Sequence, residues 1–176
     1  MGELEKQETV NGFEVLLVDV SNELVAIPIS AVNEVIEYSK ITSVPMCFKE
    51  VSGVINVRGS VVPVVDAAIR LRMETEYQYD KFSCIILYES MDEKLQENIM
   101  IGLVVSRVRS IQTISNAQIM DKPAFGVHIP EQYVTNMIEV DQETIPLLAM
   151  EALLDGRQIN QGMLAHQRAA LMQWKA

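Results

Sequence analysis

The strongest constraint on the fold is the segment Val51-Ser-Gly-Val-Ile-Asn-Val-Arg-Gly-Ser-Val-Val-Pro-Val-Val-Asp66. Val54, Val57, Val61, Val62, Val64 and Val65 are β-branched and stiff at χ1, which favours a strand over a helix. Arg58-Gly59-Ser60 interrupts them with a glycine, which reaches positive φ without a Cβ clash. The segment therefore predicts two short strands joined by a tight turn. Gly59 is its structural turn residue, and Arg58 is a cation at its lip. Pro63 donates no ladder hydrogen bond, so its strand is expected at an edge or a bulge there.

The flanking sequence reads the same way. Phe13 to Val20, the turn Ser21-Asn22-Glu23 and Leu24 to Ile29 predict a hairpin. Ser30 is placed to cap one helical turn over Ala31 to Asn33 before Val35 resumes a strand. Ala67 to Met73 predicts a short helix. Phe82 to Leu87 reads as a buried strand. Glu89 to Asn98 reads as a loop, long for a hairpin connection.

The chain also repeats itself. Val25-Ala-Ile-Pro-Ile-Ser-Ala-Val-Asn-Glu-Val35 aligns with Ile101-Gly-Leu-Val-Val-Ser-Arg-Val-Arg-Ser-Ile111. Val51 to Val57 aligns with Val134-Thr-Asn-Met-Ile-Glu-Val140, and Val62-Pro63-Val-Val65 with Ile145-Pro146-Leu-Leu148. Such self-similarity marks a duplicated unit. Two β-rich units predict two small barrels. The expected organisation is an N-terminal arm (1–12), barrels over 13–77 and 80–154, and a C-terminal helical extension (155–176).

Net charge narrows the function. At −10 over 176 residues the chain is not built to neutralise nucleic-acid phosphates or an anionic membrane surface. No apolar run reaches the roughly 18 residues expected of a membrane span. Two distant cysteines without a CxxC, Cys47 and Cys84, point to reduced thiols in the cytosol.

No catalytic pattern emerges. His128 and His166 are the only histidines, without metal-ligand spacing. There is no nucleophile elbow and no phosphate-binding glycine loop. No cofactor or metal is expected, which leaves a protein that works through its surfaces.

The segment Gly53-Val-Ile-Asn-Val-Arg-Gly-Ser-Val-Val-Pro-Val-Val-Asp66, with Val25 to Glu37 upstream, resembles the hallmark of CheW-like domains, the adaptor modules of bacterial chemotaxis arrays. The resemblance runs from about Phe13 to Leu154. It implies an all-β-dominated fold of two five-stranded SH3-like barrels, with or without exchange of strands between them, and short helices. It also implies a non-enzymatic scaffold bridging chemoreceptor tips and the regulatory domain of a CheA-type histidine kinase. By the same resemblance Val32 and Glu34 would face the kinase, the local alternative being a turn with Val32 in the core and Glu34 solvated; Gly53 is counted with them as a backbone necessity that shapes the neighbouring surface. Arg58, Phe82, Ser83, Gly102, Val108 and Ile111 would face the receptor. Arg58 has an alternative, local role, as a turn residue bonded to nearby carbonyls. The second half departs from the family pattern: Asn136 stands where a glycine is usual, Ala149-Met150 where a leucine-aspartate pair is, and Ser106 where an aspartate is common. An adaptor of a pilus-driven or other non-flagellar chemosensory system is one alternative function. A small-ligand sensor using the groove between the barrels is another. Self-association is left open.

Overall fold

Val15-Leu-Leu-Val18 is apolar at four consecutive positions, so as a strand it needs cover on both faces. The computed structural model, which describes residues 12–44, 49–73, 78–92, 96–122 and 128–159, provides that cover. Strand β1 (Gly12–Val20) turns Val15 and Leu17 into one apolar cluster and Leu16 and Val18 into another. Strand β6 (Cys84–Asp92) does the same with Ile85 and Leu87 against Ile86 and Tyr88.

The remaining strands are β2 (Glu23–Pro28), β3 (Glu34–Glu37), β4 (Val51–Val57), β5 (Ser60–Asp66), β7 (Glu97–Val105), β8 (Arg107–Ser115), β9 (Ile119–Met120), β10 (Val134–Val140) and β11 (Glu143–Leu148). Helical turns α1 (Ala67–Arg70) and α2 (Met150–Leu153) follow β5 and β11. One curled sheet has the order β8-β1-β2-β11-β10-β9, and the other β3-β6-β7-β5-β4. The first therefore carries six strands rather than five, the extra one being the two-residue β9.

The exchange of strands is reciprocal. Hairpin β1–β2 from the first half completes the sheet of the second half, and β6–β7 completes that of the first. The internal repeat accounts for it residue by residue. The parallel join Val64↔Gly102 has its counterpart in Leu147↔Ala26, which are the aligned positions. The bridge Thr42↔Val54 has its counterpart in Met120↔Met137. Each barrel has its own interior, and a third, larger cluster (Leu16, Ile27, Ile86, Leu103, Leu148 and Leu153 among others) fills the seam between them.

Several sequence expectations are corrected. The turn after β2 spans Ile29–Ala31, not Ala31 to Asn33, because Pro28 at φ −57° already opens it, and Ser30 lies inside rather than capping. Helix α1 ends at Arg70, with Arg72 at φ +57°. Much of the expected Glu89–Asn98 loop is strand, since the β6–β7 ladder continues out to Asp92↔Glu97. Strand β5 is interior to its sheet; its ladder with β7 starts only at Val64, so Pro63 stands opposite no β7 partner. The arm before Gly12, and Gly162 to Ala176, lie outside the described residues. Among the described residues no helix is long and apolar enough to cross a membrane.

Candidate functional site

The tip of the β4–β5 hairpin carries Arg58 at φ +49° and Gly59 at φ +86°, the two positive values a tight type I′ hairpin turn requires. The Asn56 side-chain oxygen accepts a hydrogen bond from the Gly59 amide at 2.9 Å and fastens the turn. From here the guanidinium reaches Glu34, with Nη2 2.7 Å from Oε2 and Nη1 3.4 Å from Oε1. Glu34 opens β3, and β3 and β4 are the outermost strands of their sheet. The fork therefore links β3 to the tip of the hairpin that carries β4, beside the backbone bridge Thr42↔Val54 that joins the same two edges. Arg58 remains 71% exposed. Its hydrogen bond to Glu34, and then the carboxylate charge, hold its proton more tightly than usual. Its partner is thus a carboxylate across the barrel, not the nearby carbonyls of the local alternative.

Gly53 is buried at a β-bulge with φ +148°. A Cβ there would lie 2.1 Å from the Thr42 carbonyl oxygen, so no larger residue fits without moving backbone. Val32 is half-buried against the central cluster. Of the three residues expected to face the kinase, only Glu34 presents a charged group at the surface.

The residues expected to face a receptor do not form one patch. Phe82 is 54% exposed just before β6, with the Arg107 guanidinium 5.0 Å and the Lys81 ammonium 5.1 Å from its ring centroid. Ser83 beside it is buried, and its hydroxyl accepts from the Asp80 amide. Val108 is half-buried close by on β8, where its backbone meets the Cys84 thiol. Burial pushes that thiol above its usual range. Ile111 is exposed further along β8. Gly102 is enclosed: a Cβ would lie 2.8 Å from Ile85 Cγ2. Arg58 is at the opposite end of the barrel, because Glu34 pairs opposite Leu87 while Phe82 precedes the strand start. At about 3.3 Å per residue the two ends are on the order of 15 Å apart. The fold thus joins one residue from each expected set, Glu34 and Arg58, and separates Arg58 from Phe82.

Between the barrels runs a groove of about 550 Å³. It is lined by Tyr88 of β6, by Pro28 at the end of β2 with Ser30 and Ala31 after it, and by Thr135, Leu148, Ala149, Met150 and Glu151 from the paired strands β10 and β11 and the turn that follows. A small-ligand sensor would need this groove. Burial raises the Tyr88 phenol, with the charges of Glu151 and Asp155 acting the same way. Sequence reading missed Arg70, whose guanidinium joins α1 to the end of α2. The one available signal was a cation closing the otherwise apolar Ala67-Ala-Ile-Arg70.

Comparison with known proteins agrees with this architecture. The family model of CheW-like domains matches residues 14–158. The chain is 26% identical over 152 residues to the chemotaxis protein CheW of Klebsiella aerogenes, covering 86% of this chain and 87% of the relative. It is 32% identical over 112 residues to that of Thermotoga maritima, covering 64% and 69%. The solved scaffolding protein TtCheW from Thermoanaerobacter tengcongensis superposes with a TM-score of 0.72 at 25% identity, over 81% of this chain and 87% of that one.

Proposed function

The chain belongs to the CheW-like domain family, and from that premise we propose that it is a non-enzymatic scaffold of a bacterial chemosensory array. In the finer reading it sits in the cytoplasm beside receptor tips and couples them to the regulatory domain of a CheA-type histidine kinase. The observation that carries the proposal is the family match over residues 14–158. The surface chemistry is consistent with it: Glu34 of the kinase side and Arg58 of the receptor side meet as an exposed ion pair at the hairpin tip. Coupling then requires only that the contacts differ between the two signalling states. Val32, Glu34 and Gly53 belong to the kinase side of this reading. Arg58, Phe82, Ser83, Gly102, Val108 and Ile111 belong to the receptor side. Gly53, Ser83 and Gly102 are buried, so they act there by shaping the surface.

Because Arg58 and Glu34 grip each other, a substitution at either disturbs both sides, and a double-mutant cycle is the appropriate test. Titration calorimetry would compare wild type, Glu34→Arg, Arg58→Glu and the double swap against the CheA-type regulatory domain from the same cell. Micromolar wild-type binding, weakened about tenfold or more by Glu34→Arg, is expected. Rescue by the swap would mean that the partner reads the closed barrel. Failure of the swap to rescue would mean that it touches the Glu34 carboxylate itself. A well-folded wild type that does not bind would overturn the kinase half of the proposal.

A further inference from the structure

The two short helices follow the equivalent hairpins of the internal repeat and are joined by one side chain. Arg70 closes α1 and Leu153 closes α2, and these are aligned positions of the two halves. Yet the contact between them is one-sided. Arg70 Nε donates to the Leu153 carbonyl oxygen at 3.0 Å, and Nη2 donates to Gln158 Oε1 at 3.0 Å. The same guanidinium lies 5.0 Å from the centroid of the Tyr133 ring, in the turn that leads into β10. Leu153 returns no polar contact; its side chain is fully buried in the central cluster. One side chain of the first half thus holds three separate elements of the second.

The carbonyl that Arg70 occupies is one of those a helix end leaves without an internal partner. The other end of that same turn, Ala149, Met150 and Glu151, forms a wall of the inter-barrel groove, and Arg70 does not line the groove itself. Pro28, Ser30 and Ala31, which line the same groove, lead directly into Val32 and Glu34. The segment after α2 is held on the same side. The Gly156 amide donates to Ser90 Oγ at 3.3 Å on β6, and Ile159 is buried in the central cluster.

We propose that Arg70 is a positioning residue that sets the width of the inter-barrel groove from behind, by fixing the C-terminal end of α2. This goes beyond the adaptor reading, because it concerns the groove whatever occupies it. The planar fork is needed: a lysine offers a point charge and cannot hold two acceptors and stack on Tyr133 together.

The test uses the full chain and no partner. Amide exchange is measured for wild type, Arg70→Met and Arg70→Lys. Spin labels at Ser30→Cys and Glu151→Cys, on a Cys47→Ser/Cys84→Ser background, report the groove width. Arg70→Met is expected to speed exchange at the Leu153, Leu154 and Ile159 amides about tenfold, the scale of one lost hydrogen bond. The label distances should broaden, while exchange in the β4–β5 hairpin stays at the wild-type rate. Arg70→Lys should fall between. Unchanged distances and unchanged α2 exchange in Arg70→Met would overturn the proposal, as would acceleration spread evenly over the whole chain. If Arg70→Met does not fold, Gln158→Ala removes one acceptor and should give the same local pattern at smaller size. Its absence would equally overturn the assignment.

Discussion

The β4–β5 and β10–β11 hairpins occupy equivalent places in the two barrels, yet they solve the same geometric problems with different chemistry. At the bulge, Gly53 lets the Thr42 carbonyl approach to a distance no Cβ tolerates. Its counterpart Asn136 instead donates its side-chain amide to the Met120 carbonyl at 3.3 Å. At the tip, Arg58-Gly59 corresponds to Asp141-Gln142, which also adopts positive φ but has no glycine. Behind the strands, Asp66 accepts from the Ile69 amide and caps α1, whereas Ala149 offers α2 no side-chain cap. Glu34, the partner of Arg58, corresponds to Ser110. The first barrel thus carries a closed, capped and charged hairpin, and the second keeps the backbone shape without those devices. The backbone path of this unit therefore does not depend on them, and the Glu34–Arg58 pair is free to serve a surface role.

The sharpest way to break the comparison is Gly53→Ala. Its Cβ would meet backbone, so a loss of about 3 kcal/mol or more is expected in urea unfolding. Asn136→Gly at the matching site should cost far less, since it removes one polar contact. Equal effects would mean that the two bulges carry the same strain.

Next in size is an alkaline test of the first barrel alone. The Tyr79 hydroxyl donates to Asp66 Oδ1 at 2.6 Å, and burial, followed by that bond and the Asp66 charge, raises its pKa from the ordinary 10.0. A raised folded pKa means that the native state holds the proton longer. Its stabilisation is therefore complete below about pH 10 and is lost as the pH climbs further. Tyr79→Phe should cost about 1–2 kcal/mol at neutral pH and flatten that alkaline decline. An unchanged slope in the variant would remove Tyr79 as the cause.

Two smaller changes should make the second hairpin resemble the first. Gln142→Gly relieves a side chain held at φ +68°, and should add about 0.5–1 kcal/mol after the backbone-entropy cost of glycine. Ala149→Asp supplies α2 with the cap that Asp66 gives α1, worth about 0.5–1 kcal/mol by thermal unfolding. No gain would mean that the uncapped amides of α2 already have adequate partners.

Much of this was legible along the chain. β-Branched residues on both sides of Gly59 predict the hairpin, because they favour strands and a turn with two positive φ values tolerates few residues. The double apolar runs at Val15–Val18 and Ile85–Leu87 declare strands buried on both faces, since a half-exposed strand would alternate. The repeat itself was readable from Val51–Val57 against Val134–Val140. What the chain could not disclose is which sheet each hairpin joins. The repeat makes the two sets of partner strands alike in sequence, and only the three-dimensional closure selects the exchanged pairing.

Local propensity and periodicity therefore determined the strands, the turns and the duplication, because each depends on residues within a few positions of one another. The tertiary structure alone decided the exchange of hairpins, the Glu34–Arg58 seam and the grip of Arg70 on Leu153. Those contacts join residues 24 and 83 positions apart, and no pattern along the chain records which distant groups the closed barrels bring within hydrogen-bonding distance.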